Sequence, residues 1–159
     1  MIAARNHPTR SLDAYIVIGN PNTRKSSLVR ALTGCFNRSV RDIAPDSGRT
    51  ALRVYARVGA LQETRTGIDD FIAEAARTRC STVLCCLWPS AHPVVPEQCP
   101  DALAYLAGFK AAGWRIVAIA ALGQNSGGVR GPALRPFPQA PTDPINVTAR
   151  AVRSFFGWA

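Results

Sequence analysis

The sequence contains little lysine and little acidic charge. Two of its 19 basic residues, Lys25 and Lys110, are lysine, and ten acidic residues leave a net charge of +9. A basic surface attracts nucleic acid and anionic lipid. The arginines are scattered, however, with no run like that of a polybasic arm, and an arginine-rich, alanine-rich chain is also what GC-rich coding produces. Nucleic-acid binding is therefore kept as one possible partner class.

The sequence also lacks a long apolar run. Its longest runs, such as 116–123, are strand-sized, and none approaches the ~20 residues that a membrane-spanning helix needs. The first eight residues lack the apolar core of a secretory signal. These two absences predict a cytoplasmic protein without a membrane span.

A metal-ligating cysteine pattern is absent as well. The five cysteines show no C-x-x-C spacing, and His7 and His92 are not clustered with them, which argues against a zinc site. Cys85 and Cys86 fall inside an apolar run and are predicted to be small buried residues.

One strand–loop–helix pattern is present, at residues 14–35. A run of five apolar residues ends in Gly19, a short polar loop follows, and a segment with apolar residues at helical spacing begins at Lys25. The spacing matches the phosphate-loop pattern G-x-x-x-x-G-K-[ST] at every required position except the second glycine, which is Arg24.

Such a loop turns successive backbone N–H groups inward, and the following helix adds the positive end of its dipole, so that the two together bind phosphate. Lys25 would then reach the terminal phosphates and the Ser26 hydroxyl would bind Mg²⁺. The candidate nucleotide-binding residues are Gly19, Asn22, Thr23, Arg24, Lys25, Ser26 and Ser27.

Arg24 allows two interpretations. If the loop kept the geometry that glycine permits, Arg24 would adopt a positive φ at an energetic cost, so the first interpretation is a reshaped loop. Alternatively, Arg24 keeps a helix-compatible conformation and sends its guanidinium to a phosphate oxygen. A plain turn followed by a helix, with a solvated lysine and serine and no ligand, is the structural alternative to both.

The segments Gly19-Asn20-Pro21-Asn22, Lys25-Ser26-Ser27-Leu28 and Ala31-Leu32-Thr33-Gly34 resemble the first motif of P-loop GTPases of the translation-factor-related class. Within that class, the ferrous-iron transporter GTPase domain and the ribosome-assembly GTPases have the most similar motif residues. The resemblance implies a nucleoside triphosphate, ATP or GTP, bound with Mg²⁺. It also implies a second magnesium ligand in the first switch, for which Thr50 is the positional candidate.

Beyond Cys35 the resemblance weakens. The Asp-x-x-Gly motif of those GTPases is absent, because the one available carboxylate, Glu63, has a spacing to Gly67 that is wrong by one residue. Asn125 stands without the lysine and aspartate of the base-reading motif, so a preference for guanine is not implied.

The rest of the chain alternates between apolar runs and helical periods. The predicted strands after the first are 51–61, 81–87 and 115–122, and the predicted helices after the first are 67–79, 101–112 and a last one after Pro144. Segments 35–50 and 127–144 are predicted to be irregular. This alternation predicts an α/β three-layer sandwich with a mainly parallel sheet of about four or five strands, P-loop NTPase-like.

By its length the chain is one domain, with residues 1–12 as an N-terminal arm and residues 13–159 as the domain. The resulting hypothesis is a P-loop protein that binds a nucleoside triphosphate with Mg²⁺ and hydrolyses it slowly or not at all. The alternative is a noncatalytic scaffold of the same fold that binds a protein or nucleic-acid partner.

Overall fold

The computed structural model describes residues 11–35, 37–45 and 51–158. Its elements in chain order are β1 (Asp13–Ile18), α1 (Lys25–Thr33), β2 (Arg38–Ile43), β3 (Leu52–Ala60), α2 (Ile68–Thr78), β4 (Thr82–Leu87), α3 (Ala102–Ala111), β5 (Arg115–Leu122), β6 (Leu134–Phe137) and α4 (Ile145–Phe156). The strands form one sheet in the order β2-β3-β4-β1-β5-β6. Within these described residues, no helix has the length and apolar character to cross a membrane.

The sheet is mainly parallel, as predicted, because only β2 runs antiparallel to its neighbour, β3. The predicted number of strands was too low, since the sheet has six. The two additional strands, β2 and β6, lie in the segments predicted to be irregular. Both are edge strands with exposed polar residues, so they lack the apolar pattern of buried strands.

The helices cover both faces of the sheet, which gives three layers. The core on one face includes buried residues of α1 and α4, such as Leu28 and Phe156. The core on the other face includes buried residues of α2 and α3, such as Phe71 and Phe109. The α/β sandwich architecture is therefore confirmed.

This arrangement creates a crevice at the carboxyl end of the sheet, between β1 and β4. The two strands are parallel neighbours, with Ile18 beside Leu87. The chain leaves β1 towards α1 on one face and leaves β4 towards α3 on the other. Where neighbouring connections diverge in this way, open α/β sheets bind their ligands. The loop of residues 19–24 lies at that point.

Candidate functional site

The loop of residues 19–24 is folded tightly against the end of the sheet. The Gly19 N–H donates to the Leu87 carbonyl oxygen at 3.1 Å, and the Thr23 hydroxyl donates to the Asn20 carbonyl oxygen at 2.7 Å. A Cβ atom on Gly19 would lie 2.3 Å from Thr23 Oγ1, which is far inside van der Waals contact. This close approach favours glycine at the first position of the pattern, because any other residue would force the Thr23 side chain or the loop to shift.

Two residues of the loop have left-handed backbone conformations, Asn22 with φ of 70° and Arg24 with φ of 72°. For a residue with a side chain this conformation costs roughly 1–2 kcal/mol. Arg24 thus keeps the backbone geometry that glycine would give, and the helix-compatible interpretation was wrong. Its guanidinium donates to the backbone carbonyl oxygen of Asp143 at 2.6 Å, just before α4.

The N-terminus of α1 has no side-chain cap among the described residues. Arg24, at the N-cap position, makes no side-chain cap hydrogen bond, and the first turn contains no acidic residue. The first backbone bond into the helix runs from the Leu28 N–H to the Arg24 carbonyl oxygen. Within the part of the chain that the structure describes, the N–H groups of Lys25, Ser26 and Ser27 make no hydrogen bond, so they and the positive end of the helix dipole suit an external anion.

Lys25 is buried at this helix start, with 6% of its surface exposed. Its Nζ donates to the Asn20 carbonyl oxygen at 2.7 Å and lies 3.4 Å from Thr23 Oγ1. Both acceptors are neutral, and none of the ion pairs among the described residues includes Lys25. Burial lowers the pKa of Lys25, although the nearby Cys86 and Glu63 act in the opposite direction. A buried ammonium group without a carboxylate partner gains free energy when an anion binds beside it.

A cavity of 400 Å³ opens in front of Lys25, which is within the size range of small-molecule sites. Its lining includes Asn22, Arg24, Lys25, Ser26, Ser27 and Glu63. Five of the seven residues predicted to bind nucleotide thus line one cavity. The other two, Gly19 and Thr23, hold the loop behind it. Thr50, the predicted second magnesium ligand, lies outside the described residues.

Glu63 lines the same cavity from the neighbouring part of the sheet edge. It follows β3 in a turn whose hydrogen bonds include one from the Thr66 N–H to the Leu61 carbonyl oxygen at 2.8 Å and one from the Tyr105 hydroxyl to the Thr66 carbonyl oxygen at 2.6 Å. Motif spacing gave no role to Glu63. Its position directly after the carboxyl end of a parallel strand is the signal that could have identified it.

Gln62 is a second residue that the motif comparison missed. Its side chain is fully buried. Its Nε2 donates to the Trp88 carbonyl oxygen at 3.0 Å, and its Oε1 accepts from the Trp88 N–H at 2.9 Å. This pair of bonds ties the turn after β3 to the loop after β4, and Trp88 also lines the cavity. Gln62 thereby helps to fix the position of Glu63.

The loop after β5 also reaches this site. Asn125 Nδ2 donates to Asn20 Oδ1 at 3.3 Å, so a third connection at the carboxyl edge of the sheet contacts residues 19–24. Asn125 accepts in turn from the Gly127 N–H at 2.9 Å. The amide of Asn125 is therefore used to support the loop.

The protein oxygen atoms of this cavity suit a metal ion that is also bound by phosphate and water. No group of three or more histidine, cysteine or acidic side chains comes together anywhere in the described ranges. Mg²⁺ commonly takes one or two protein oxygens and completes its shell with phosphate oxygens and water. The Ser26 hydroxyl and the Glu63 carboxylate, which line the same cavity, fit that requirement.

No family model, no curated protein and no solved structure matches the chain. The geometry of this cavity is therefore the basis for assigning a function.

Proposed function

We propose that the protein binds a nucleoside triphosphate together with Mg²⁺, with the phosphates held by the loop of residues 19–24 and the first turn of α1. The observation that carries the proposal is the buried Lys25, which lies at an uncapped helix N-terminus and has neutral acceptors alone. A polyphosphate supplies the negative charge that this group lacks.

Each part of the loop has a distinct role in this proposal. The N–H groups at the start of α1 bind phosphate oxygens, and Lys25 exchanges its bond to the Asn20 carbonyl oxygen for a bond to phosphate. Gly19 lets the loop lie close to the sheet, because a Cβ atom there would force Thr23 or the loop to shift. The left-handed Asn22 and Arg24 give the loop its turn, and such local strain is commonly stored at functional sites.

Magnesium would be held by the Ser26 hydroxyl, with Glu63 facing the same cavity. The ion would neutralise charge on the phosphates and stabilise charge that develops during phosphoryl transfer. Glu63 could bind it through water or accept a proton from an attacking hydroxyl. With a single carboxylate among the described residues of this cavity, we propose that hydrolysis by water is slow or absent.

The proposal concerns the phosphates and leaves ATP and GTP as equal candidates. The base-reading motif is incomplete, and Asn125 is engaged with Asn20 and Gly127. A test must therefore include both nucleotides.

Calorimetric titration with nonhydrolysable ATP and GTP analogues, with and without Mg²⁺, tests the proposal. We expect binding of at least one analogue, and a loss of about tenfold or more in affinity in Lys25→Met, because a charge-assisted bond to phosphate is removed. Lys110→Met is the matched control, since Lys110 is the other lysine of the chain and is exposed on α3. Absence of binding at millimolar analogue, or equal affinity of Lys25→Met and the wild type, would refute the proposal.

A further inference from the structure

The basic residues, which are scattered along the sequence, are unevenly distributed between the two sides of the sheet. The helices on one side, α1 and α4, contain four basic residues and no acidic ones. The helices on the other side, α2 and α3, contain two basic residues and three acidic ones. The fold therefore gives the protein one strongly basic side and one side of mixed charge.

The arginines of α4 lie close to α1. Arg150 and Arg153 are three residues apart, which makes them neighbours on the helix surface. Arg153 Nη2 donates to the Ala31 carbonyl oxygen of α1 at 3.0 Å. The preceding residue of α1, Arg30, is exposed, as is Arg150. The two helices therefore present their arginines together.

Arg135 extends this group of arginines to the edge strand β6. Its side chain is exposed, and its guanidinium lies 5.6 Å from the centre of the Phe137 ring and 5.8 Å from the centre of the Phe155 ring. Because Phe155 belongs to α4, Arg135 lies beside the helix that carries the other arginines. The basic face is defined by Arg30, Arg135, Arg150 and Arg153.

Carboxylates do not neutralise the charges of this face. Arg153 donates to a neutral carbonyl oxygen, and Arg135 lies over neutral rings. In the described part of the chain, no ion pair includes Arg135, Arg150 or Arg153, and the ion pairs at Glu74 and Asp13 are made by other arginines. Such an array of arginines attracts a ligand with several negative charges.

The backbone of a nucleic-acid duplex matches this pattern of charge. Because α4 has 12 residues, it is about 18 Å long, and duplex DNA carries one negative charge per ~1.7 Å of its axis. The basic face is thus long enough to contact several phosphates at once. The planar guanidinium of arginine also binds two phosphate oxygens together.

Single strands and membranes suit the face less well. Single strands bind by stacking their bases on aromatic rings, but Phe137 and Phe155 are partly buried and lie under the Arg135 guanidinium. A membrane surface requires a helix whose apolar side is turned outwards. Most apolar residues of α4 pack towards the sheet, and Val147 is the one large apolar side chain of α1 and α4 that is exposed.

We propose that the basic face binds the phosphate backbone of a nucleic-acid duplex without reading its base sequence. This function goes beyond nucleotide binding, because Arg135, Arg150 and Arg153 do not line the cavity in front of Lys25. DNA and RNA duplexes supply the same phosphates, and the test distinguishes between them. Contacts to the backbone carry no sequence information, so a duplex of scrambled sequence should bind equally well.

Fluorescence anisotropy with labelled DNA and RNA duplexes, titrated at several NaCl concentrations, tests the proposal. We expect at least one duplex to bind, with an affinity that falls linearly with salt on logarithmic scales. Arg135→Gln/Arg150→Gln should weaken binding about tenfold, since each exposed ionic contact accounts for a few-fold in affinity. The same double variant should reduce the salt slope by about 2.

Arg77→Gln/Lys110→Gln is the matched control. It removes two charges from exposed positions on the opposite side of the sheet. Duplex affinity should stay within about twofold of the wild type, because charges further away than the Debye length of about 8 Å are largely screened. Arg150→Glu is a second variant, which keeps the contact of Arg135 with α4 and should weaken binding about fivefold or more. Circular dichroism verifies that each variant is folded.

Absence of binding to both duplexes at low salt would overturn the inference. Equal weakening by the two double variants would also overturn it, because net charge alone would then account for the binding. Binding to phosphatidylserine vesicles but to neither duplex would have the same consequence.

Failure of this inference is distinguishable from failure of the proposed function. Arg135→Gln/Arg150→Gln should bind nucleotide as the wild type does, since neither residue lines the cavity in front of Lys25. A protein that binds nucleotide but no duplex overturns this inference alone. A protein that binds a duplex but no nucleotide overturns only the proposed function.

Discussion

The ammonium group of Lys25 donates a hydrogen bond of 2.7 Å to the backbone carbonyl oxygen of Asn20, within the loop that the two residues enclose. The lysine is buried, and its acceptors carry no charge. Such an arrangement costs stability in the ligand-free protein and is relieved when an anion binds. The charge of Lys25 therefore favours anion binding but lowers the stability of the ligand-free protein, a conflict that is common at functional sites.

The first prediction concerns the stability of Lys25→Met. Since burial lowers the pKa of Lys25 below its ordinary value of 10.5, the unfolded state binds more protons than the folded state between the two pKa values. The lysine's contribution to stability therefore rises as the pH increases through that range. We expect Lys25→Met to be at least as stable as the wild type at neutral pH and to lose this alkaline rise. Urea unfolding at neutral and alkaline pH measures the stability at neutral pH and its change with pH. A clear destabilisation of Lys25→Met at neutral pH would contradict the argument.

The second prediction isolates the strain at Arg24. Arg24→Gly and Arg24→Ala both remove the bond to the Asp143 carbonyl oxygen, but only glycine adopts the observed φ of 72° without strain. We expect the glycine variant to be more stable than the alanine variant by about 1 kcal/mol. Denaturant unfolding of the two variants gives the difference directly. Equal stability would mean that the backbone is not held in this conformation.

The third prediction concerns the close approach of Gly19. Gly19→Ala would place a Cβ atom 2.3 Å from Thr23 Oγ1, so the loop must shift at a cost of about 1–3 kcal/mol. Affinity for the nucleotide should fall with it. Because the clash involves the Thr23 hydroxyl, the stability cost should be smaller in a Thr23→Ala background. An equal cost in both backgrounds, measured by a double-mutant cycle, would be evidence against this contact.

The fourth prediction assigns the magnesium dependence to Glu63. Glu63→Gln keeps the shape of the side chain and removes its charge, so we expect nucleotide binding without Mg²⁺ to be retained and its enhancement by Mg²⁺ to be reduced. Glu97→Gln is the control, because Glu97 is exposed and does not line the cavity in front of Lys25. Paired titrations with and without Mg²⁺ measure the effect. An unchanged enhancement in Glu63→Gln would remove Glu63 from the proposed site.

The fifth prediction concerns acid stability and the contacts of Glu74 with Tyr55 and Arg57. Burial acts to raise the pKa of Glu74, but hydrogen bonds from Tyr55 and Arg57 outweigh it, so that the pKa lies below its ordinary value of 4.5. The stability from this pairing is present above 4.5 and is lost as the pH falls through the lowered pKa.

Glu74→Gln should therefore flatten the acid limb of the stability curve, because the amide has no charge to protonate. Thermal unfolding over a series of acidic pH values detects this change. Glu97→Gln again serves as the control, since its side chain is exposed. If Glu74→Gln keeps the full acid dependence of the wild type, other carboxylates are responsible.

Much of the α/β architecture could be predicted from the sequence, because its buried elements have strong patterns. The residues of β4 are all buried, and the strand appears in the sequence as a continuous apolar run. The end of α1 also has a local signal, because Gly34 adopts a φ of 74° there, which suits glycine, and its N–H donates to the Arg30 carbonyl oxygen. The edge strands β2 and β6 could not be predicted, because exposed residues such as Arg38 and Arg135 do not alternate with buried apolar ones.

The candidate site was predictable only where it is local in sequence. Gly19 and Lys25 belong to one short pattern, so their proximity follows from the loop between them. Gln62 and Glu63 reach the same cavity through the order of strands in the sheet, which no short pattern encodes. The left-handed backbone of Arg24 was one of two alternatives, because the sequence does not reveal whether a loop keeps the geometry of a glycine that it lacks.

The most direct test of the account is a crystal structure with Mg²⁺ and a nonhydrolysable nucleoside triphosphate analogue. We predict that the phosphates lie against the start of α1 and that Lys25 Nζ has left the Asn20 carbonyl oxygen, where it now lies at 2.7 Å, to contact a phosphate oxygen. A structure in which the analogue binds elsewhere, with Lys25 still bonded to Asn20, would contradict the central claim.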